Sequence, residues 1–269
     1  MKPADYFEKI GFDGKVSCVL CPRRCIIENG KSGFCKVRKN IEGTLYSLNY
    51  GAVSAMNIDP VEKKPLFHFY PGKKILSIGS IGCNLKCSYC QNYAIYQFNE
   101  ELFKICREVK AEKIAEYAYK TDGNIGVAYT YNEPTVFFEY MKECAKEIKK
   151  TAMLNVAVTN GYIEEKPLRD SFDYIDAYSV DLKGFTEIFY KNITGGELEP
   201  VKKNLKLIRE AEKHLEIENL IIPGLNDNPD KFKEMIKWIN DNLGENTILH
   251  INRYYPAYKM DIEPAKEKN

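Results

Sequence analysis

Cys83, Cys87 and Cys90 stand at a C-x3-C-x2-C spacing, tight enough for one loop to aim three thiols at one centre. Soft thiolates select iron–sulfur clusters, zinc or cuprous copper. A four-iron cluster ordinarily takes four cysteines, so three leave one iron open to bind another molecule. The plain alternatives are a zinc clip or incidental core cysteines, but three cysteines in this order at the end of a strand seldom arise by chance. A second set, Cys18, Cys21, Cys25 and Cys35, reads C-x2-C-P-x2-C-x9-C, with Gly30 and Gly33 to allow tight turns. Four thiols complete a coordination sphere, so this site is expected to be closed and to hold zinc or an iron–sulfur cluster. The head is short and polar and is expected to need that metal for its folding energy.

The elements that must position these thiols follow from the pattern of apolar residues. Ile75–Gly82 is short, apolar and Gly-terminated, and reads as a buried strand running into the three-cysteine loop. From residue 74 strand and helix alternate, with strands expected at 74–80, 125–130, 154–159, 176–181, 217–222 and 247–252. The helices between them carry apolar stripes, such as Val136, Phe137, Tyr140, Met141, Cys144 and Ile148, and Val201, Leu205 and Ile208. Pro134, Pro200 and Pro229 stand where first-turn prolines belong. Six βα units predict an α/β fold, a parallel sheet with right-handed crossovers curved into a six-stranded partial barrel. The division expected is 1–73, a Cys-rich head and β-rich connector, and 74–269, the barrel. Asp59–Pro71 carries three prolines and is read as irregular. His68 within it is read as a packed residue.

Active sites of such folds gather at the C-terminal strand ends. Those ends carry Glu133, Asn160, Asp181 with Lys183, the Pro223–Asp227 turn, and His250 with Asn252 and Arg253. Carboxylates could take the ammonium of a zwitterion, and Lys or Arg its carboxylate. Asp181 and Lys183 stand out because both should point into the barrel, where an unpaired charge is costly. Asn132 and Asn228 are read as helix caps.

Net charge is +1 over 269 residues, which gives no bulk electrostatic reason to expect nucleic acid. No apolar run approaches membrane-spanning length and the N-terminus lacks an apolar signal region. Nine cysteines without a secretory signal argue for metal ligation in a reducing cytoplasm.

The stretches CVLCPRRC, DPVEKKPLFHFYPG, SIGCNLKCSYCQN, YTYNEPT, VTNGY, VDLKG, IIPGLND and HINRYYP together resemble the radical S-adenosylmethionine (SAM) enzyme of the AmmeMemoRadiSam system. That group is similar to the pyruvate formate-lyase activating enzymes. The resemblance implies a radical SAM partial (β/α)6 barrel and a [4Fe–4S] cluster on Cys83, Cys87 and Cys90 whose open iron binds SAM. It also implies an external one-electron reductant of ferredoxin or flavodoxin type, and a substrate that is a protein or peptide. By position, Glu133 matches the residue that binds the SAM ammonium, and Asp181 and Lys183 match a D-x-K element that contacts SAM. Tyr89 matches the residue whose backbone meets the adenine, while Asn160 and His250 are further expected cofactor contacts. Two departures matter. The relatives continue past HINRYYP, so a shortened lower lid is expected here, and activases often place extra clusters after the SAM motif rather than before it. A glycyl-radical-enzyme activase, a SAM-independent iron–sulfur electron carrier and a zinc-ribbon module for the head are the competing readings.

Overall fold

The computed structural model describes residues 1–11, 13–96 and 100–264. The end of the expected 74–269 range therefore lies partly outside the described residues. All six expected strands form, as β2 (Lys74–Gly79), β3 (Asn124–Tyr129), β4 (Leu154–Thr159), β5 (Ala177–Asp181), β6 (His214–Ile221) and β7 (Ile248–Arg253). They pair in parallel in chain order, as right-handed βα crossovers require. Gly126 is needed where β3 meets β4, because a Cβ there would lie 1.9 Å from the Leu154 carbonyl oxygen.

The sheet has a seventh strand that the proline content had hidden. β1 (Ala55–Pro60) runs antiparallel along β2, and its only proline is the last residue, at the sheet edge. Pro60 pairs with Lys74, so residues 61–73 leave and rejoin the sheet at its N-terminal edge. Within that excursion Val61, Leu66 and Phe69 pack with Ile75, Ala128, Val156 and Ala177, which face the barrel interior. The stretch read as irregular thus plugs the barrel from below.

Helices α1 (Ala111–Lys120), α2 (Phe138–Lys149), α3 (Glu165–Ser171), α4 (Leu198–Glu210) and α5 (Pro229–Leu243) cover the outside. Their apolar stripes are buried, including Cys144, which is a core thiol. Tyr117 on α1 and Ile236 on α5, apolar residues that helical spacing would place with these stripes, are exposed instead. Asn228 caps α5 as expected, accepting from the backbone N–H groups of Asp230 and Lys231.

The head differs from expectation in one respect. It is built of short antiparallel strands, among them Lys15–Cys18, Arg38–Ile41 and Thr44–Ser47. Val16, Leu20, Ile27, Val37 and Leu45 are buried and continuous with the barrel core, so apolar burial does contribute to its order. A buried ion pair, in which Arg38 Nη2 alone donates to both oxygens of Glu139 at 2.6 Å, fixes it to the first turn of α2.

Candidate active site

A cavity of about 560 Å³ opens at the C-terminal ends of the strands, within the range typical of small-molecule sites. Cys83, Cys87, Cys90, Tyr89, Glu133, Asn160, Asp181 and Lys183 all line it. The parallel sheet delivers each of them, because inward-facing residues alternate along every strand and end at the same rim.

The three-cysteine loop is held by polar ties. Asn132 was expected to cap a helix, but its amide bridges the loop instead, accepting from Ser80 N–H at 2.9 Å and donating to the Gly82 carbonyl at 2.9 Å. The helix-capping role falls to Glu133, which accepts from Thr135 N–H at 3.0 Å. Glu133 is buried and also accepts from Thr159 Oγ1 at 2.7 Å and Asn160 N–H at 2.8 Å. Burial nevertheless pushes its carboxyl above the ordinary range. Asn160 Nδ2 donates to Asn84 Oδ1 at 2.9 Å and reaches Cys83 Sγ at 3.8 Å, while Leu85 N–H donates to that sulfur at 3.4 Å.

Lys183 Nζ pairs with Asp181 Oδ2 at 3.0 Å. Burial opposes the ammonium charge most strongly, but Asp181, Tyr89 and Cys87 together outweigh it, and the Lys183 pKa lies well above its usual value. Burial pushes the Cys83 thiol well up and that of Cys87 up to about 11, the latter against the pull of Lys183. Thiols so placed ionise when a metal takes them.

His250 does not line the cavity. It sits one inward position below Asn252 on β7, with Nε2 2.6 Å from Glu216 Oε2. Asn226 and Asp227 close their own turn, Asn226 tying it to the Lys183 carbonyl at 3.0 Å. Glu218 also lines the cavity and escaped the sequence reading. Glu218 accepts from Asn252 through one oxygen, while its Oε1 is buried with no hydrogen-bond partner. Burial, with the charges of Asp181 and Glu216 behind it, pushes its carboxyl up to about 9. Its signal was present: two glutamates alternate, as Glu216 and Glu218, on a strand buried over Leu215–Asn219.

The residues fit a cluster and SAM by chemistry. Soft sulfurs converge with N–H donors aimed at one of them, and beside them lie a cation, carboxylates, the unpartnered Glu218 Oε1 and the buried, unpartnered Tyr89 hydroxyl. A parallel partial barrel with an open three-thiolate loop at its C-terminal mouth defines a class of iron–sulfur catalyst. The sequence profile of the radical SAM superfamily matches residues 77–239, and the chain belongs to that superfamily, whose enzymes cleave SAM. It is 43% identical to an uncharacterised protein of Methanocaldococcus jannaschii, over 98% of this chain and 78% of that protein. It is 22% identical to the pyruvate formate-lyase-activating enzyme of Staphylococcus epidermidis, over 62% of this chain and 70% of that protein. Among solved structures, the SAM-bound form of Streptococcus suis SuiB superposes with a TM-score of 0.52 at 16% identity. The match covers 67% of this chain and 41% of SuiB, a likeness of fold alone. No helix among the described residues is long and apolar enough to cross a membrane.

Proposed function

We propose that the chain is an oxidoreductase that cleaves SAM reductively and uses the resulting radical on a protein or peptide substrate. The observation that carries this reading is the convergence of Cys83, Cys87 and Cys90 with Glu133, Asn160, Asp181 and Lys183 on one cavity. Cys83, Cys87 and Cys90 would hold a [4Fe–4S] cluster. When bound, that cluster with SAM on its open iron supplies one-electron cleavage of the sulfonium bond, to methionine and a 5′-deoxyadenosyl radical that abstracts hydrogen from the substrate. The protein's own work is placement and exclusion of water. Asp181 and Glu133 offer acceptors for the SAM ammonium, and Lys183 offers a cation for its carboxylate. Tyr89 lines the cavity and, by the family resemblance, its backbone would meet the SAM adenine, and Asn160 donates toward the Cys83 sulfur. A protein substrate is supported by the likeness to an enzyme named for activating pyruvate formate-lyase. The electron would come from an external reductant of ferredoxin or flavodoxin type, in a reducing cytoplasm that keeps free cysteines as thiols.

Cys18, Cys21, Cys25 and Cys35 would form a second, closed centre in a head spanning roughly residues 1–73. All four line one small cavity, with Arg38 beside them. Arg38 is 1% exposed, and its Nε and Nη1 have no hydrogen-bond partner, a buried cation suited to an anionic thiolate centre. An iron–sulfur cluster is the better candidate than zinc. A redox centre here could relay the electron that SAM cleavage needs, whereas zinc has no redox chemistry. Proximity favours a relay role: a Cβ at Gly82, next to Cys83, would lie 3.0 Å from the Cys35 carbonyl oxygen.

The test is anaerobic reconstitution with iron and sulfide, then SAM, dithionite and chromatography for 5′-deoxyadenosine. Release is expected, and no release from a fully reconstituted chain overturns the reading. Iron and sulfide retained in a Cys83/Cys87/Cys90→Ala triple variant are expected from the head. About one zinc per chain there would make the head structural.

A further inference from the structure

The chain has three histidines, and all three meet on one carboxylate. Glu216 is fully buried on β6 and faces the barrel interior below Glu218. His250 Nε2 lies 2.6 Å from its Oε2, and His68 Nδ1 lies 3.4 Å from the same oxygen. His214 Nε2 lies 2.8 Å from Oε1. The backbone N–H groups of Phe67 and His68 donate to Glu216 at 3.0 and 2.9 Å, pinning the plug segment to the carboxylate.

We propose that His68 Nδ1, His250 Nε2 and a Glu216 oxygen bind one divalent first-row metal ion of the zinc or iron(II) class, apart from both thiolate sites. The donor set is two imidazoles and a carboxylate, which suits these ions and leaves a coordination position for water. The spacing suits them too. The three ligating atoms lie within 4.8 Å of one another, and a tetrahedral ion with bonds of about 2.05 Å needs its ligands about 3.3 Å apart. His68 is already at 3.4 Å from the shared oxygen. His250 is at hydrogen-bonding distance, and an ion replacing the bridging proton would open that pair by about 0.7 Å. The site is reachable, because the His68 side chain is 60% exposed while the Glu216 side chain is 0% exposed. His214 is a positioning residue: its bond to the other oxygen orients the carboxylate, as supporting partners do at metal sites.

The three ligands come from the plug and from two neighbouring strands, so an ion here would tie residues 61–73 to β6 and β7. It would also set the field beneath the cavity, since His250 Nε2 lies 3.9 Å from Glu218 Oε1.

The test uses the anaerobically reconstituted holoenzyme, chelator-washed and then titrated with zinc chloride. Elemental analysis after gel filtration and thermal unfolding are the readouts. The wild type should take up about one zinc more per chain than His68→Ala or His250→Ala, and zinc should raise the Tm of the wild type more than that of either of these two variants. His214→Ala should still bind, with affinity about 10–100-fold weaker. Equal zinc uptake and equal Tm response in wild type and His68→Ala overturn the proposal. His68 is exposed, so this variant should fold and decides the matter even if His250→Ala does not.

Discussion

The two thiolate regions of this chain are opposites in coordination and in setting. Cys83, Cys87 and Cys90 face a cavity of about 560 Å³ among unpartnered polar groups, whereas Cys18, Cys21, Cys25 and Cys35 line a cavity of about 20 Å³ closed by Arg38 and apolar side chains. Three thiols beside open space suit a centre that must accept a ligand, and four in a closed space suit one that need not. The settings differ for a physical reason. The first loop is the continuation of a strand in a parallel sheet, where the strand ends diverge and leave room. The second lies in small antiparallel sheets packed against α2, where side chains fill the space.

The sharpest way to break this contrast is to remove the thiols of the open loop one at a time. Cys83→Ala, Cys87→Ala or Cys90→Ala should each abolish 5′-deoxyadenosine release, because each would supply one iron ligand. Cys106→Ala and Cys144→Ala should cleave SAM as the wild type does. Full cleavage in any of the first three would erase the distinction.

Stability gives the next largest effect. Arg38→Met leaves Glu139 buried without its partner, and breaking a buried pair costs about 3–5 kcal/mol. Denaturant unfolding should register that loss, and a metal held by the proposed closed centre should be lost with it. An unchanged midpoint would remove Arg38 from the account of the closed centre.

A smaller effect is expected in SAM affinity. Glu133→Gln and Asp181→Asn should keep the cluster absorbance yet weaken SAM binding by about 1.5–3 kcal/mol, roughly one to two decades. Asp181 should fall at the low end, since its side chain is 43% exposed and screened by water. Titrating SAM against the cluster spectrum measures both, and wild-type affinity would leave these carboxylates structural.

A pH dependence is expected as well. Glu218 has its pKa raised to about 9, mainly by burial, from the ordinary 4.5. The folded chain therefore holds a proton that the unfolded chain releases above about pH 4.5. That contribution to stability is fully present below 4.5 and is lost as pH rises towards 9. Glu218→Gln should flatten the fall of Tm between pH 5 and 9. Parallel Tm profiles of the two proteins would show that Glu218 ionises normally.

Much of the architecture was legible in the sequence. Apolar runs at period two and helical stripes between them are local signals, and the six parallel strands and their helices follow from them. Cysteine spacing within a loop is equally local, which is why both thiolate sets could be read directly. The order of the polar residues at strand ends was legible for the same reason, as alternation decides which of them face inward. Asp181 and Lys183 reach the cavity by that rule, and Glu133 reaches it from the start of the helical turn that follows β3.

Other features depended on residues distant in the chain. Nothing local distinguishes a proline-rich excursion over solvent from one that turns under a barrel, yet Leu66 and Phe69 are buried inside it. Asn132 and Glu133 are adjacent, and either could cap a helix. Packing against the cysteine loop gave the cap to Glu133 and the bridge to Asn132. His250 went to Glu216 rather than to the cavity, because one inward position along a tilted strand changes the layer a side chain enters. By itself the sequence determined the fold class, the thiolate sets and the inward polar residues, all signals carried within a few residues. Only the tertiary structure decided that His68, His214 and His250 share one carboxylate, because that meeting depends on strand register and on where the plug closes the barrel.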